Sequence, residues 1–124
     1  MPADAPLPVL PVTTLVLDDE PQIRRAVRHA LGAVTARVVE AADGEGALAQ
    51  AAAERPALVV LDLGLPDMDG LAVCRALRAF SPAALLVLSA RHGDTEKATL
   101  LDAGADDYRT KPFSIVELQA RARA

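Results

Sequence analysis

The sequence predicts an α/β fold, a single (βα)5 unit with a doubly wound parallel sheet and helices on both faces. Short apolar runs alternate with longer stretches of helical periodicity at an even pace. Runs such as 58–61 are continuously apolar, which is typical of strands buried on both faces. The length of 124 residues fits one domain with its own core.

The first strand and helix are predicted at 12–17 and 21–31. Residues 1–12 hold four of the nine prolines. Because proline fixes φ and has no N–H to donate, we expect an extended, poorly ordered leader there and a folded domain over 13–124. The helix opens on Pro21, where the missing N–H does no harm, and continues with apolar residues at helical spacing.

The middle of the chain continues the alternation of strands and helices. Strands are predicted at 36–41 and 57–61. Helices begin at Asp43 and Asp69, and each continues with apolar residues at helical spacing. Cys74 falls on the apolar face of the second of these helices, so we expect it in the core.

The last two strands are predicted at 84–88 and, more weakly, at 106–109. A helix over 94–103 stops before Gly104, a typical residue just past a helix end. The fifth helix begins near Ser114, an N-cap with Glu117 three residues later, as in a capping box. Its pattern is still helical at residue 124. We expect a helix cut short there, with a natural single-domain protein as the alternative.

Composition and charge exclude several classes of protein. A formal net charge of −4 and an aromatic content of 2% disfavour a nucleic-acid surface in this segment. The single cysteine excludes a disulfide framework and a cysteine-built zinc site. We expect a cytoplasmic location and no membrane contact, because the sequence has neither a signal peptide nor an apolar run of membrane-spanning length.

Polar residues whose side chains can react or bind a ligand lie at the ends of four of the five predicted strands. They are Asp18, Asp19 and Glu20 after the first strand, Asp62 after the third, Ser89 in the fourth and Lys111 after the fifth. Any one acid alone is more often a helix N-cap or a solvated loop charge. Parallel strands, however, bring these carboxylates to one sheet edge, where ligands bind. A cation offsets their repulsion, and oxygen-only ligands favour Mg²⁺, with Mn²⁺ as an alternative.

Asp62 differs from the other acids because a buried strand directly precedes it. Aspartate carboxylates act as nucleophiles toward phosphoryl groups. The transferred group then needs neutralisation of its oxygens, which a metal, a hydroxyl and a lysine can supply. Ser89 and Lys111 are the candidates, and Lys111 is notable because the chain has 11 arginines and only two lysines. The ammonium is a compact point charge that suits a small pocket.

These residues together resemble the active-site quintet of response-regulator receiver domains from two-component systems. The separations are 27 residues from Asp62 to Ser89 and 22 from Ser89 to Lys111. The run 61–70, LDLGLPDMDG, and the sequence KPF at 111–113 resemble further motifs of that family. The resemblance covers about residues 13–124 and implies the flavodoxin-like, CheY-like fold with strand order 2-1-3-4-5.

The resemblance implies a role for each residue. Asp62 accepts a phosphoryl group from a sensor histidine kinase, with Lys111 and Ser89 on its oxygens. Mg²⁺ binds Asp19, Asp62 and the backbone carbonyl of Gly64, and Asp18 acts through water. Glu20 matches a frequent acid of the family and is given no metal role. Ser89 and Tyr108 form the switch, although a half-buried strand aromatic is the plain alternative for Tyr108.

The C-terminal half resembles OmpR/PhoB-type transcription factors, and among these the Kdp-type regulators of potassium uptake. The resemblance implies a homodimer through helix 4, strand 5 and helix 5 on phosphorylation. The implied intersubunit ion pairs are Lys97 with Glu117 and Asp107 with Arg121, for which ordinary surface charge is the alternative. DNA would be bound only through a C-terminal winged-helix domain absent from this chain.

Two other functions remain open from the residues. A Mg²⁺-dependent phosphohydrolase of the haloacid-dehalogenase type would carry a second aspartate two residues after Asp62, where this chain has Gly64. A constitutive interaction module would not use the quintet at all. We therefore expect a phosphoacceptor signalling domain that is not an enzyme beyond its own phosphorylation and dephosphorylation.

Overall fold

The structure is a computed structural model, and it describes residues 10–62, 65, 67–89, 94–110 and 114–123, without the side chains of 94–97 and 110. Five strands alternate with five helices along the chain. The strands are β1 (Leu10–Leu17), β2 (Thr35–Ala41), β3 (Leu58–Asp62), β4 (Ala84–Ser89) and β5 (Asp107–Thr110). The helices are α1 (Pro21–Gly32), α2 (Gly44–Glu54), α3 (Gly70–Arg78), α4 (Asp94–Asp102) and α5 (Ile115–Arg123).

All the strand pairs are parallel, and the sheet order is β2-β1-β3-β4-β5. The predicted fold class and strand order are therefore confirmed. The central strand β3 is buried at all five positions, which explains its continuous apolar run. Each of the first four strands leads into a helix that crosses over to the next strand, and α5 follows β5.

Two hydrophobic cores lie on opposite faces of the sheet, because side chains alternate along each strand. On one face, Leu15, Val59 and Val87 pack with residues of α2, α3 and α4. On the other face, Val16 and Val60 pack with residues of α1 and α5. Cys74 is fully buried in the first core, as predicted, and burial raises the pKa of its thiol to about 11.

The helix ends confirm most of the predicted signals. Asp43 accepts a hydrogen bond from the Gly46 N–H (2.7 Å), and Asp69 accepts one from the Leu71 N–H (3.2 Å). Gly104 follows α4 with φ of +113°. The Ser114 hydroxyl accepts the Glu117 N–H (3.3 Å), so the capping serine is confirmed. The Glu117 carboxylate of that predicted box pairs with arginines instead.

The largest difference between a predicted and an observed strand boundary is at the start of β1, and the other boundaries agree within one residue. The strand β1 begins at Leu10, two residues before the predicted start, and the Leu10 N–H donates to the Val34 carbonyl (2.8 Å). An irregularity between Leu10 and Thr13 accommodates Pro11, which cannot donate to the ladder. Because the prediction treats prolines as excluding a strand, the predicted start of β1 is two residues too late. The domain boundary predicted after residue 12 stays a prediction.

Arg78 joins the end of α3 to the turn before β5. Its guanidinium donates to the carbonyls of Gly104 (2.9 Å) and Ser81 (3.2 Å) and to the carboxylate of Asp106 (2.7 Å). The same Asp106 oxygen accepts the Leu85 N–H (2.7 Å). This contact anchors the amino end of β4 and β5, at the sheet edge opposite the predicted site.

We predict that Arg55→Gly is more stable than Arg55→Ala by about 1 kcal/mol. Arg55 follows α2 in the left-handed region, with φ of 48°, where a Cβ is strained. Both substitutions remove the long side chain, but only glycine removes the Cβ. The comparison needs the free energies of unfolding of the two variants from urea titration. Equal stabilities would contradict the predicted strain.

Candidate functional site

The carboxyl ends of four neighbouring strands meet at one edge of the sheet. Leu17 pairs with Leu61, so Asp18 and Asp62 follow paired positions. Asp62 in turn pairs with Leu88, and Ser89 pairs with Thr110. The predicted convergence of Asp18, Asp62 and Ser89 on this edge thus follows from the register of the strands.

Three acidic residues at the end of β1 form a compact group, here called the acidic triplet: Asp18, Asp19 and Glu20. One carboxylate oxygen from each lies within 4.8 Å of the others. Asp18 is buried, whereas Asp19 and Glu20 are exposed. The predicted metal set shares Asp18 and Asp19 with this group and stays a prediction for Asp62 and the backbone carbonyl of Gly64.

Backbone contacts hold the acidic triplet at the start of α1. The Glu20 N–H donates to the Asp18 carboxylate (2.9 Å), so this aspartate stabilises the turn that enters the helix. Arg24 of α1 donates to the Asp18 carbonyl oxygen (2.8 Å), and its guanidinium lies 3.4 Å from the Glu40 carboxylate of β2. The geometry therefore leaves the exposed carboxylates of Asp19 and Glu20 accessible at the edge.

The donor chemistry of the acidic triplet fits a hard divalent cation. All three side chains offer oxygen, and two of them are open to solvent. Carboxylate oxygens are the ligands that Mg²⁺ takes in proteins, usually one or two of them together with water. A bound cation would offset the repulsion among three clustered carboxylates.

Asp62 and Ser89 are polar residues in buried positions, 8% and 2% exposed. Each is the last residue of its strand, so a rigid, buried backbone positions its side chain. A carboxylate held in this way is pre-oriented for chemistry at the edge. Lys111 and Gly64, the other predicted members of the site, lie outside the described residues.

Tyr108, the predicted switch aromatic, is buried in β5 with 4% exposure. It pairs with Val87 and belongs to the core on the face of α2, α3 and α4, together with Leu100 and Ala105. The alternative of a half-buried aromatic is therefore wrong for this conformation. The ring therefore packs in the same core as Leu100 of α4.

The predicted dimer residues that the structure describes pair within the chain. With Arg109 they form a group between β5 and α5, here called the ion cluster: Asp107, Arg109, Glu117 and Arg121. Arg121 lies 3.0 Å from Asp107 and 3.7 Å from Glu117. Arg109 lies 3.6 Å from Asp107 and 3.5 Å from Glu117. The side chain of Lys97 is outside the described part.

Two atoms of the ion cluster are incompletely satisfied. Within the described part of the chain, the buried atoms Asp107 Oδ2 and Arg109 Nε make no well-aligned hydrogen bond, although the Asp107 oxygen lies 3.0 Å from the Arg121 guanidinium. Asp107 Oδ2 and Arg109 Nε form an ion pair at 3.6 Å, and partly exposed ion pairs contribute little to the free energy of unfolding. The charged side chains of the ion cluster can therefore exchange partners at a low cost in stability.

Asp67 lies on the β3–α3 connection and contacts the start of α2. Its two carboxylate oxygens accept the N–H groups of Gly44 (2.7 Å) and Glu45 (3.0 Å). These hydrogen bonds hold the pKa of the Asp67 carboxyl below its ordinary value of 3.8. Asp67 stabilises the amino terminus of a helix that belongs to another connection.

The sequence analysis did not assign roles to Asp67 or Arg109. Arg109 could have been found from strand periodicity, since it is two residues from Asp107 and shares its face of β5. Asp67 could not, because its partners are 23 and 22 residues away in the chain. Only the fold brings the two connections together.

Comparison with known proteins identifies the family to which this fold and site belong. The family model described as "Response regulator receiver domain" matches residues 14–123. The chain belongs to the response-regulator receiver domain family, and it is the receiver domain of a signalling protein.

Among individual proteins, the chain is similar to transcriptional regulators of the OmpR/PhoB type. It is 53% identical over 110 residues to the transcriptional regulatory protein KdpE of Mycobacterium tuberculosis, covering 89% of this chain and 49% of that protein. It is 50% identical over 109 residues to the KDP operon transcriptional regulatory protein KdpE of Escherichia coli, covering 88% and 48%. The chain spans about half the length of these curated relatives.

A solved structure supports the same assignment. The BeF3-activated N-terminal receiver domain of Klebsiella pneumoniae RstA superposes with a TM-score of 0.83 at 31% identity, covering 90% of this chain and 95% of that one. The expected resemblance to OmpR/PhoB-type and Kdp-type receivers is thus confirmed. None of the helices in the described ranges has the length and apolar character needed to cross a bilayer.

We predict that the stability advantage of wild type over Asp67→Asn disappears in acid. A carboxyl whose pKa is lowered in the folded state stabilises the protein above its ordinary pKa of 3.8, and this contribution is lost as the pH falls below that value. Urea unfolding of both proteins between about pH 6 and 2.5 measures the difference.

Asp43, Glu45 and Asp69 also lie close to Asp67, but they are present in both proteins and cancel in the comparison. Asp69→Asn, which removes a charged cap from α3 instead, serves as the control. A wild-type advantage over Asp67→Asn that persists undiminished at about pH 2.5 would contradict the assigned hydrogen bonds.

Proposed function

We propose that this chain takes a phosphoryl group from a sensor histidine kinase onto Asp62 and thereby switches an output. The observation that carries the proposal is the position of Asp62. It ends a fully buried strand in register with β1, which carries the acidic triplet. A nucleophilic carboxylate and a cation-binding group at one edge are what phosphoryl transfer to an aspartate needs.

In the proposed transfer, an oxygen of the Asp62 carboxylate attacks phosphorus as the bond between phosphorus and the donor nitrogen breaks. The donor phosphohistidine, protonated on its other ring nitrogen, leaves as neutral imidazole, and the product is an aspartyl phosphate. Ser89 donates a hydrogen bond to a phosphoryl oxygen from the end of β4. Lys111 supplies positive charge there. Hydrolysis of the aspartyl phosphate by water restores the carboxylate.

The proposed cation is Mg²⁺, with Mn²⁺ as a substitute. Asp19 and Asp62 would hold it through their carboxylates, Gly64 through its carbonyl, and Asp18 through water. When bound, it neutralises charge on the phosphoryl oxygens. Within the acidic triplet, the proximity of Glu20 makes it an additional oxygen donor. Since Gly64 occupies the position of a second aspartate, repeated hydrolysis of external phosphoesters is not part of the proposal.

We further propose that phosphorylation favours a homodimer through α4, β5 and α5. The ion cluster lies on β5 and α5, and Ile115 and Val116 of α5 are exposed beside it. Burial of these apolar side chains would supply affinity, while exchange of ion pairs between subunits would set the register. Tyr108 links this face to Ser89, since the two residues lie on paired strands.

In the full protein, the output would be transcription through a DNA-binding domain outside this chain. The support is the similarity to regulators whose names identify them as transcriptional, together with the acidic net charge of this segment. A cytoplasmic location remains a prediction that accompanies this function.

We predict that Asp62→Asn abolishes phosphorylation by acetyl phosphate and Mg²⁺, because the amide is not a nucleophile for phosphorus. Intact-protein mass spectrometry measures incorporation. Asp69→Asn, which changes an exposed carboxylate on the following helix cap, should be phosphorylated like wild type. Phosphorylation that continues in Asp62→Asn would contradict the assignment of Asp62 as the phosphoacceptor. Steady release of phosphate from an added phosphoester would favour the phosphohydrolase.

We predict that Arg121→Gln weakens the activated dimer by up to about fivefold, the effect of losing about 1 kcal/mol from an exposed ion pair. Sedimentation equilibrium with beryllium fluoride, a phosphoryl mimic, gives the dimer dissociation constant. Arg37→Gln removes a comparable pair with Glu54 outside the proposed interface and should leave dimerisation unchanged. Equal dimerisation of wild type with and without the mimic would instead support a constitutive interaction module.

A further inference from the structure

One arginine of α1 holds the backbone of the acidic triplet at both ends. The Arg24 guanidinium donates from Nη1 to the Asp18 carbonyl oxygen (2.8 Å). The Arg24 backbone N–H donates to the Glu20 carbonyl oxygen (3.0 Å). Any residue except proline could make the second hydrogen bond at this helix position. The first depends on a long side chain that carries a donor at its end.

The contact of Arg24 with Asp18 sets the direction in which the chain enters Asp19. The Asp18 carbonyl belongs to the same planar peptide group as the Asp19 N–H, so a fixed carbonyl fixes that whole group. The next peptide group is restrained as well, because its Glu20 N–H donates to the Asp18 carboxylate (2.9 Å). The exposed carboxylates of Asp19 and Glu20 therefore extend from a restrained backbone. Preorganisation of this kind raises the affinity for a ligand.

Glu40 of β2 holds the Arg24 guanidinium in this position. Its carboxylate lies 3.4 Å from Arg24 Nε, on the opposite edge of the guanidinium from the contact with Asp18 carried by Nη1. Glu40 pairs with Val16 of β1, so the sheet itself carries it beside the strand that leads into the triplet. Its negative charge also offsets the charge of Arg24, which would otherwise repel a cation at the triplet.

Arg28, one helical turn further along α1, provides a matched comparison. Its Nη1 lies 2.9 Å from the same Glu40 carboxylate. Within the described part of the chain, Arg28 makes no hydrogen bond or ion pair with the acidic triplet. The two arginines thus share a helix, a charge and a partner, and they differ in the contact with the Asp18 carbonyl.

We infer that Arg24 is a positioning residue that holds the backbone of the acidic triplet for binding of the divalent cation. The inference rests on the proposed function, because that function places Mg²⁺ at this group. As a cation itself, Arg24 does not ligate the metal and acts through the Asp18 carbonyl. Its positive charge alone would weaken Mg²⁺ binding. A positioning effect and a simple charge effect of Arg24 therefore have opposite signs.

The test compares Arg24→Met with Arg28→Met, which each remove one guanidinium from α1 and keep an unbranched stem. Mg²⁺ titration of ¹⁵N-labelled protein, followed by amide chemical shifts, gives the dissociation constant without any phosphoryl transfer. We expect Arg24→Met to raise it about tenfold, the lower end of the loss when a group that orients metal ligands is removed. Arg28→Met should leave it within about twofold of wild type, or lower it, since only repulsion is removed.

Two further measurements separate positioning from folding defects. Both methionine variants lose an ion pair with Glu40, so urea unfolding should show similar losses of stability. Arg24→Lys keeps the charge but has one nitrogen in place of the two that the guanidinium uses. Its Mg²⁺ dissociation constant should lie between those of wild type and Arg24→Met, and it replaces Arg24→Met if that variant does not fold.

The outcomes distinguish this inference from the function on which it rests. Equal Mg²⁺ dissociation constants for Arg24→Met and Arg28→Met, or tighter binding by Arg24→Met than by wild type, would overturn the positioning role. If Arg24→Lys has to replace Arg24→Met, a wild-type dissociation constant for the lysine variant would overturn it too. Failure of the wild-type chain to bind Mg²⁺ would overturn the proposed function itself.

Discussion

The parallel register of β1, β3, β4 and β5 is the constraint on which the rest of the structure depends. Pairing of Leu17 with Leu61 brings Asp62 level with Asp18, although 44 residues separate them. Pairing of Ser89 with Thr110 places the end of β4 beside the end of β5. A slip of one residue between β1 and β3 would turn an acidic side chain to the other face of the sheet and remove the site.

The edge strand β5 connects the two faces of the molecule. Tyr108 packs into the core beneath α4, whereas Asp107 and Arg109 lie on the other face and form ion pairs with α5. On the same face as α5, Gln119 donates to the Ala30 carbonyl at the end of α1 (2.9 Å). Because alternate residues of one short strand reach both faces, a displacement of β5 affects the site edge and the proposed dimer surface together.

The two connections beside Asp62 show how stability and function are combined at the site. The carboxylates of Asp43 and Asp67 satisfy N–H groups in the first turn of α2, and a helix start has no internal acceptors for these groups. The second carboxylate comes from the connection that follows the proposed phosphoacceptor. A residue on the connection after the proposed phosphoacceptor therefore also stabilises α2.

Most of the fold could be predicted from the sequence because its signals are local. The buried run of β3, the capping residues Asp43, Asp69 and Ser114, and the stop at Gly104 each depend on a few neighbouring residues. Pro11 misled the prediction of the strand start, since a local rule does not include the irregularity that accommodates it. The members of the site at Asp18, Asp62 and Ser89 could be predicted as well, since strand ends converge in any parallel sheet.

The sequence by itself determined the strand and helix pattern, the family and the chemical identity of the carboxylates at the sheet edge. These properties follow from short-range periodicity and from residue types that suit few reactions. Tertiary structure alone decided that Arg121 pairs with Asp107 within the chain and that Asp67 reaches α2. The reason is physical. Charged surface side chains pair with groups that lie close in space, and tertiary packing determines which groups lie close.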